Sequence, residues 1–554
     1  LQRFLLAKRA WVVLFGAVCV AYFYGLGAVP LMGPDEPRYA QVAHEMFARG
    51  DWVTPTLGGH TWFEKPALLY WLMEVMYALF GVTEFAARFG SALSGMLTVL
   101  LAGWAARRAE FESGEGLRGL GVTCAAVVAS TLGLLVFARA SSFDTLLTTT
   151  VTGALACFYC SEVERGAGRK TWLVGFYGFI GASLLAKGLV GVVISGAVII
   201  VYCVFRRRWP GVLRLGLPWG VLLASIVAAI WYGPVIARHG HAFVDEFFVQ
   251  QHFARYISNK YHHPQPFWFY LPVTLGLALP WTVFLFSGIA GAAETNARAE
   301  DAAGKLRVLS LAWLVVPVLF FSVSGSKLPG YVLPALPGAA LLAGDGLHRY
   351  LRGAGGLAAM RLTGLLALLV FAAGGALLVF HVSEYGETLR GLSPVYVAAL
   401  LLPSGLAGLA ALFAPRRREL CAVSIVGATL LTVVLVVASG VLGQLTQKET
   451  MGRALAEADA EGFGELPVVN LHTVERTSEF YAAGRLAYDA NGEPLKLEGS
   501  WQVAEFAQGK GGAALVIVPG DDEHQLFEDP ALESKRVAFN GSYALVFVKV
   551  VSRQ

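Results

Sequence analysis

Thirteen apolar stretches of about 20 residues each, the length that suits a hydrocarbon core about 30 Å thick, constrain this chain of 554 residues more than any other feature. They run near 11–29, 85–106, 118–137, 143–160, 172–186, 187–205, 213–237, 267–288, 306–322, 329–349, 361–382, 392–414 and 420–441. Backbone amides inside lipid have to be satisfied within their own segment, so the predicted structure is a polytopic all-α membrane protein. With 56% hydrophobic and only 15% charged residues, the chain departs from soluble composition, and a net charge of +4 gives no footprint for nucleic acid.

The distribution of basic residues sets the sidedness. With a cytoplasmic N-terminus and thirteen spans, the loops assigned inside gather 22 Lys and Arg, among them Arg107, Arg108, Arg118, the run Arg206 to Arg208, and Arg416 to Arg418. The opposite loops hold fewer than half as many. The run from Pro66 to Phe80 is short and carries Glu74, and counting it as a span would invert this bias, so it is predicted to lie at the interface. Trp11 to Val29 has no small-residue cleavage site after it and is expected to be retained as a span.

Two large non-cytoplasmic loops follow, over residues 30–84 and 238–266, together with the turn before Asp144 and the segment from Ser322 to Tyr331. The division expected is a membrane domain over 1–443 and a small non-cytoplasmic α/β domain over 444–554. In the second, strand-length runs (Val468 to Leu471, Ala514 to Val518, Tyr543 to Val550) alternate with helix-like pieces. The six cysteines all lie in apolar runs, and Cys157 with Cys160, lacking a second pair, reads as core packing.

Polar residues concentrate in the loops. Asp35 and Glu36 sit between Pro34 and Pro37 at the start of an expected helix, where an acid serves either chemistry or the helix dipole. Arg38 and Tyr39 follow in the same turn as substrate-binding candidates. Glu64 and Lys65 come after Trp62 and Phe63, and Lys65 suits a phosphate or a snorkelling anchor. Asp144 stands five residues after Arg139 at the mouth of a span, where a carboxylate needs either a function or a salt bridge. Five of the eleven histidines occupy the loop 238–266, and His252 and His263 with Glu64 have the chemistry of a zinc site, without a compact zinc spacing. Lys327 and Tyr331, in SGSKLPGY, are lipid anchors or phosphate ligands.

The run PDEPRYAQVAHEM with GDWVTP and FEKPALLYW, followed by His252 to Arg255, HPQPFWFYLP and SKLPGYVLPALP, resembles the lipid A 4-amino-4-deoxy-L-arabinose transferases. These belong to the protein O-mannosyltransferase-like superfamily, with the GT-C fold. The resemblance implies about 13 transmembrane helices, interfacial helices in the first periplasmic loop, and a small C-terminal α/β periplasmic domain. It implies inverting transfer of a sugar from undecaprenyl phosphate to a lipid A phosphate on the periplasmic side of a bacterial inner membrane, giving resistance to polymyxin. Relatives that move other sugars share much of the pattern. By the same resemblance Asp35 and Asp144 are the catalytic acids, and Lys65, Arg255 and Tyr331 bind phosphate. Glu64 with His252, or His263 in its place, holds a structural zinc. The competing classes are a transferase of a neutral hexose and a transporter of lipid-linked sugar. A transporter is disfavoured because the charges lie in outer loops and not at the midplane.

Overall fold

The computed structural model describes residues 2–164, 166, 168–209, 214–254, 265–295, 300–384 and 394–551. Among the described residues, every one of the thirteen predicted stretches falls on a helix or on a closely spaced run of helices, and Leu68–Phe80 forms a separate shorter helix. By length and composition alone, five helices among the described residues are apolar enough to cross a membrane, and seven if two bent pairs each count once. Those pairs are Leu120–Ala129 with Leu132–Ala138, bent by 58°, and Phe267–Leu277 with Thr282–Ala293, bent by 110°.

Contacts divide the chain into two compact units that differ from a simple cut in sequence. The first comprises Leu1–Tyr24, Glu64–Leu69 and Arg88–Ala438; the second comprises Gly25–Phe63, Tyr70–Ala87 and Ser439–Gln554.

In the first unit the helix Phe143–Val163 is the most enclosed, with nearly all its residues buried. Its run of threonines explains how a polar sequence is tolerated there. Thr148, Thr149, Thr150 and Thr152 return their hydroxyls to carbonyls one turn back, and Thr149 also meets Thr98 at 2.8 Å. Small residues let helices touch: a Cβ on Gly288 would stand 2.0 Å from the Leu342 carbonyl oxygen, so Thr282–Ala293 and Leu336–Leu351 approach backbone to backbone. Cys157 and Cys160 are buried thiols within Phe143–Val163.

The second unit is built on a five-stranded sheet. Its strands are β3 (Val468–Leu471), β4 (Lys496–Leu497), β5 (Ala513–Pro519), β6 (Leu532–Phe539) and β7 (Tyr543–Val550), in the order β4-β3-β5-β7-β6. A short antiparallel hairpin, β1 (Thr56–Leu57) and β2 (His60–Thr61), precedes them in the chain. β3 pairs in parallel with β4 and β5, whereas β7 runs antiparallel to β5 and β6. Central strands β3 and β5 are buried on both faces because both are covered, with Asn470 the one polar side chain in β3. Met451 and Leu455, at the helix Gly452–Ala460, pack with Val468, Leu515 and Ile517 on one side. Val503 and Ala507, from Ser500–Gly509, pack with Val516 and Val518 on the other. The first-loop segment is tied into this unit by Tyr481, whose hydroxyl accepts from the Leu31 amide at 2.8 Å and donates to Glu84 at 3.0 Å.

Candidate active site

In the first unit, Asp144 occupies the first turn of Phe143–Val163, where the Ser142 hydroxyl caps the helix by accepting from the Asp144 amide. An acid at that position is favoured by the helix dipole, yet its side chain is only 17% exposed and needs a cation. Lys187 supplies it. The last residue of the helix Gly168–Lys187, it donates from Nζ to Asp144 Oδ1 and stands 4.6 Å over the Tyr331 ring. Arg139, the alternative partner suggested by sequence, instead donates to the carbonyls of Ala21, Tyr22 and Tyr24 at the end of the helix Gln2–Phe23. Carbonyls at a helix C-terminus run out of intrahelical donors, which is why a guanidinium suits this end.

The SGSKLPGY segment closes round the same acid. A Cβ on Gly330 would lie 2.8 Å from Asp144 Oδ2, so glycine is what lets the turn rest against the carboxylate. Tyr270 donates to the Leu328 carbonyl at 3.0 Å, and Lys327 Nζ donates to the carbonyls of Ser324 at 2.7 Å and Gln265 at 3.1 Å. The sequence reading placed Asp144, Lys327 and Tyr331 among the site residues, and the fold brings Asp144 and Tyr331 together. It passed over Lys187. The signal was available: an ionisable residue between two apolar runs, with nothing nearby in sequence to pair it.

Glu64 and Lys65 also belong to the first unit, and they are bonded to each other, Nζ to Oε1 at 2.5 Å. Both are nearly buried, at 12% and 11% side-chain exposure. This corrects the expectation of a structural zinc. Among the described residues no group of three or more His, Cys, Asp and Glu can hold a metal ion, and the Glu64 carboxylate has an ammonium for its partner. His263 and Arg255 lie outside the described residues, as does the side chain of His252, whose backbone belongs to the helical run Asp245–Ala254.

The remaining candidates belong to the second unit. Asp35 is exposed at the start of the helix Asp35–Arg49, while Glu36 beside it is buried and accepts from the Met32 amide at 3.2 Å. Tyr39 is buried one turn on. Arg38 faces Glu479 at 3.7 Å and lies 5.2 Å over Trp62. Glu479 in turn accepts from Arg476 at 2.8 Å, and burial pushes its carboxyl above the usual range while the two guanidiniums oppose that shift. Glu45 holds the hairpin β1–β2 by accepting from the Gly58 amide at 2.7 Å and from the Thr56 hydroxyl at 2.5 Å.

Bent spans, a buried acid–lysine pair at the ends of two helices, and an α/β unit joined to the first loop define an integral membrane protein of the GT-C class. The family described as dolichyl-phosphate-mannose-protein mannosyltransferase matches residues 12–233. An undecaprenyl phosphate-alpha-4-amino-4-deoxy-L-arabinose arabinosyl transferase of Edwardsiella ictaluri is 32% identical over 68% of this chain and 66% of its own. A second such transferase, from Pseudomonas fluorescens, is 34% identical over 66% of this chain and 64% of its own. The matched stretch thus spans just under two thirds of the length of these relatives. Structural likeness reaches further. ArnT from Cupriavidus metallidurans bound to undecaprenyl phosphate superposes with a TM-score of 0.77 at 27% identity, covering 98% of both chains, and its apo form does the same at 26%. The chain belongs to the ArnT-like family of GT-C membrane glycosyltransferases.

Proposed function

We propose that this protein transfers 4-amino-4-deoxy-L-arabinose from undecaprenyl phosphate to a phosphate of lipid A, on the periplasmic face of a bacterial inner membrane. The observation that carries the reading is the likeness over 98% of both chains to ArnT bound to undecaprenyl phosphate. The names of the curated relatives agree on the donor sugar and its carrier.

The chemistry fits the residues. As the bond between the sugar C1 and the carrier phosphate lengthens, negative charge grows on the phosphate, and a preorganised cation stabilises that state more than the ground state. Lys65 and Lys187 are the candidates on the first unit, each held by a carboxylate it can share with an incoming phosphate. Tyr331, beneath the Lys187 ammonium, presents a hydroxyl in the same turn. The acceptor is a phosphomonoester with a second pKa of about 6, already an anion near neutral pH, so a strong base is unnecessary. Asp35 then orients the acceptor or steadies positive charge on the sugar, and Asp144 fixes Lys187 in addition to any contact with the amino group. Direct attack with inversion requires no covalent enzyme intermediate. Added aminoarabinose places a cation on lipid A, which weakens its attraction for cationic peptides such as polymyxin.

The test is mass spectrometry of lipid A from a strain lacking its own transferase but making the donor, with and without this protein. A mass gain of one or two aminoarabinose units supports the reading. No gain, with the protein confirmed in the membrane, sinks the assigned sugar or acceptor.

A further inference from the structure

At the opposite ends of the helices that carry the candidate site lies a second polar cluster that the transfer reaction does not use. Gly168–Lys187 ends at Lys187 but begins beside Arg169, roughly 28 Å away along a helix of 20 residues. Phe143–Val163 begins at Asp144 and reaches Glu162 at its other end, and Ala302–Ser322 carries Lys305 in its first turns. Between these ends and the end of Leu189–Phe205 is a cavity of about 130 Å³. Among the described residues, Arg169, Arg206, Arg208, Arg214 and Lys305 line it, with only Glu162 and Glu300 to balance them.

Among the described residues of the cluster the cations outnumber the carboxylates. Glu300 alone is shared by Arg206 at 3.4 Å, Arg208 at 2.6 Å and Lys305 at 3.3 Å. Glu162 accepts from Arg169 at 3.3 Å, and Arg214 makes no ion pair among the described residues. Arg206 has a side chain only 4% exposed, so a guanidinium is held in the wall of a cavity whose excess charge is three positive. Maintaining like charges this close costs stability unless an anion joins them. The charge asymmetry puts this end at the cytoplasmic surface. There Trp209 is 65% exposed, and Val204 and Phe205 present apolar surface on the adjoining helix.

We propose that this cavity binds the phosphate headgroup of an anionic glycerophospholipid of the cytoplasmic leaflet, its acyl chains lying along Val204 and Phe205. Basic pockets between spans at this depth take such headgroups, and Trp at the interface anchors beside them. The ligand class is set by two observations together: a cationic cavity at the cytoplasmic ends of the helices, and apolar helix surface leading away from it into the bilayer.

The full-length protein purified in mild detergent tests this by native mass spectrometry and thermal unfolding, with phosphatidylglycerol as probe and phosphatidylethanolamine as control. Phosphatidylglycerol is expected to be retained and to raise the melting temperature, phosphatidylethanolamine much less. The double variant Arg208→Gln/Arg214→Gln, changing two exposed positions, is expected to bind about tenfold more weakly, as loss of two juxtamembrane cations predicts. Glu300→Gln removes the competing carboxylate and is expected to bind more tightly, which a general loss of folding cannot mimic. Equal binding by all three proteins, or equal retention of the control lipid, overturns the proposal. Inorganic phosphate raising the melting temperature as much as the lipid would make the ligand a free anion and overturn the headgroup assignment.

Discussion

Lys187 closes the helix Gly168–Lys187 with its ammonium on the carboxylate of Asp144, the second residue of the helix Phe143–Val163. Neither side chain is more than 17% exposed, so each charge depends on the other. Lys187→Met is expected to cost about 1–3 kcal/mol and to reduce transfer sharply, because it strands a buried carboxylate and removes a phosphate-stabilising cation. In a double-mutant cycle with Asp144→Asn, thermal unfolding of the pair should show less loss than the sum of the singles. Simple additivity would mean that the two groups do not stabilise each other.

Gly330 meets that same carboxylate from the SGSKLPGY turn. Adding a Cβ there places carbon 2.8 Å from Asp144 Oδ2 and 2.8 Å from the Phe137 ring, so something has to move. Gly330→Ala is expected to lower transfer about tenfold to a hundredfold by displacing Asp144, with a stability cost of about 1–3 kcal/mol. Steady-state assay in detergent beside a melting curve separates the two effects; an unaltered rate would free the turn from any positioning role.

Asp35 is exposed, and as a first-turn acid it contributes only about 0.3–1 kcal/mol to its helix. Asp35→Asn should therefore abolish transfer while the melting temperature barely changes. Substantial turnover in folded Asp35→Asn protein rejects the catalytic assignment.

Glu74, on the interfacial helix Leu68–Phe80, is 1% exposed, and both its carboxylate oxygens lack a hydrogen-bond partner among the described residues. Burial, helped by the nearby Asp51 charge and opposed by Arg49, pushes its pKa from the ordinary 4.5 up to about 8. The folded protein keeps this proton between those values while the unfolded chain releases it, so the Glu74 contribution to stability falls as pH rises through that window. Glu74→Gln, which stays neutral, should flatten the decline from pH 5 to 8 in melting experiments. An unchanged slope would mean that Glu74 is ionised in the folded state.

Much of the architecture was legible because spans and sidedness are one-dimensional properties. An apolar run of sufficient length has to be a helix in lipid, and an excess of Lys and Arg orients its ends, which is why all thirteen stretches fall on helices in their described residues. The strands Val468–Leu471, Ala513–Pro519 and Tyr543–Val550 were visible for a related reason, being short apolar runs between turn residues. The family motif likewise singled out Asp35, Lys65, Asp144 and Tyr331 as candidates without coordinates.

What the sequence by itself determined was therefore the fold class, the membrane orientation and most of the candidate polar residues. Tertiary structure decided their partners. Asp144 pairs with Lys187, 43 positions on, and not with Arg139 nearby; Glu64 binds Lys65 and not a metal; Arg38 faces Glu479 from the far end of the chain. A buried charge takes whichever counter-charge packing brings within reach, and spacing along the chain carries no information about that once helices fold back on one another.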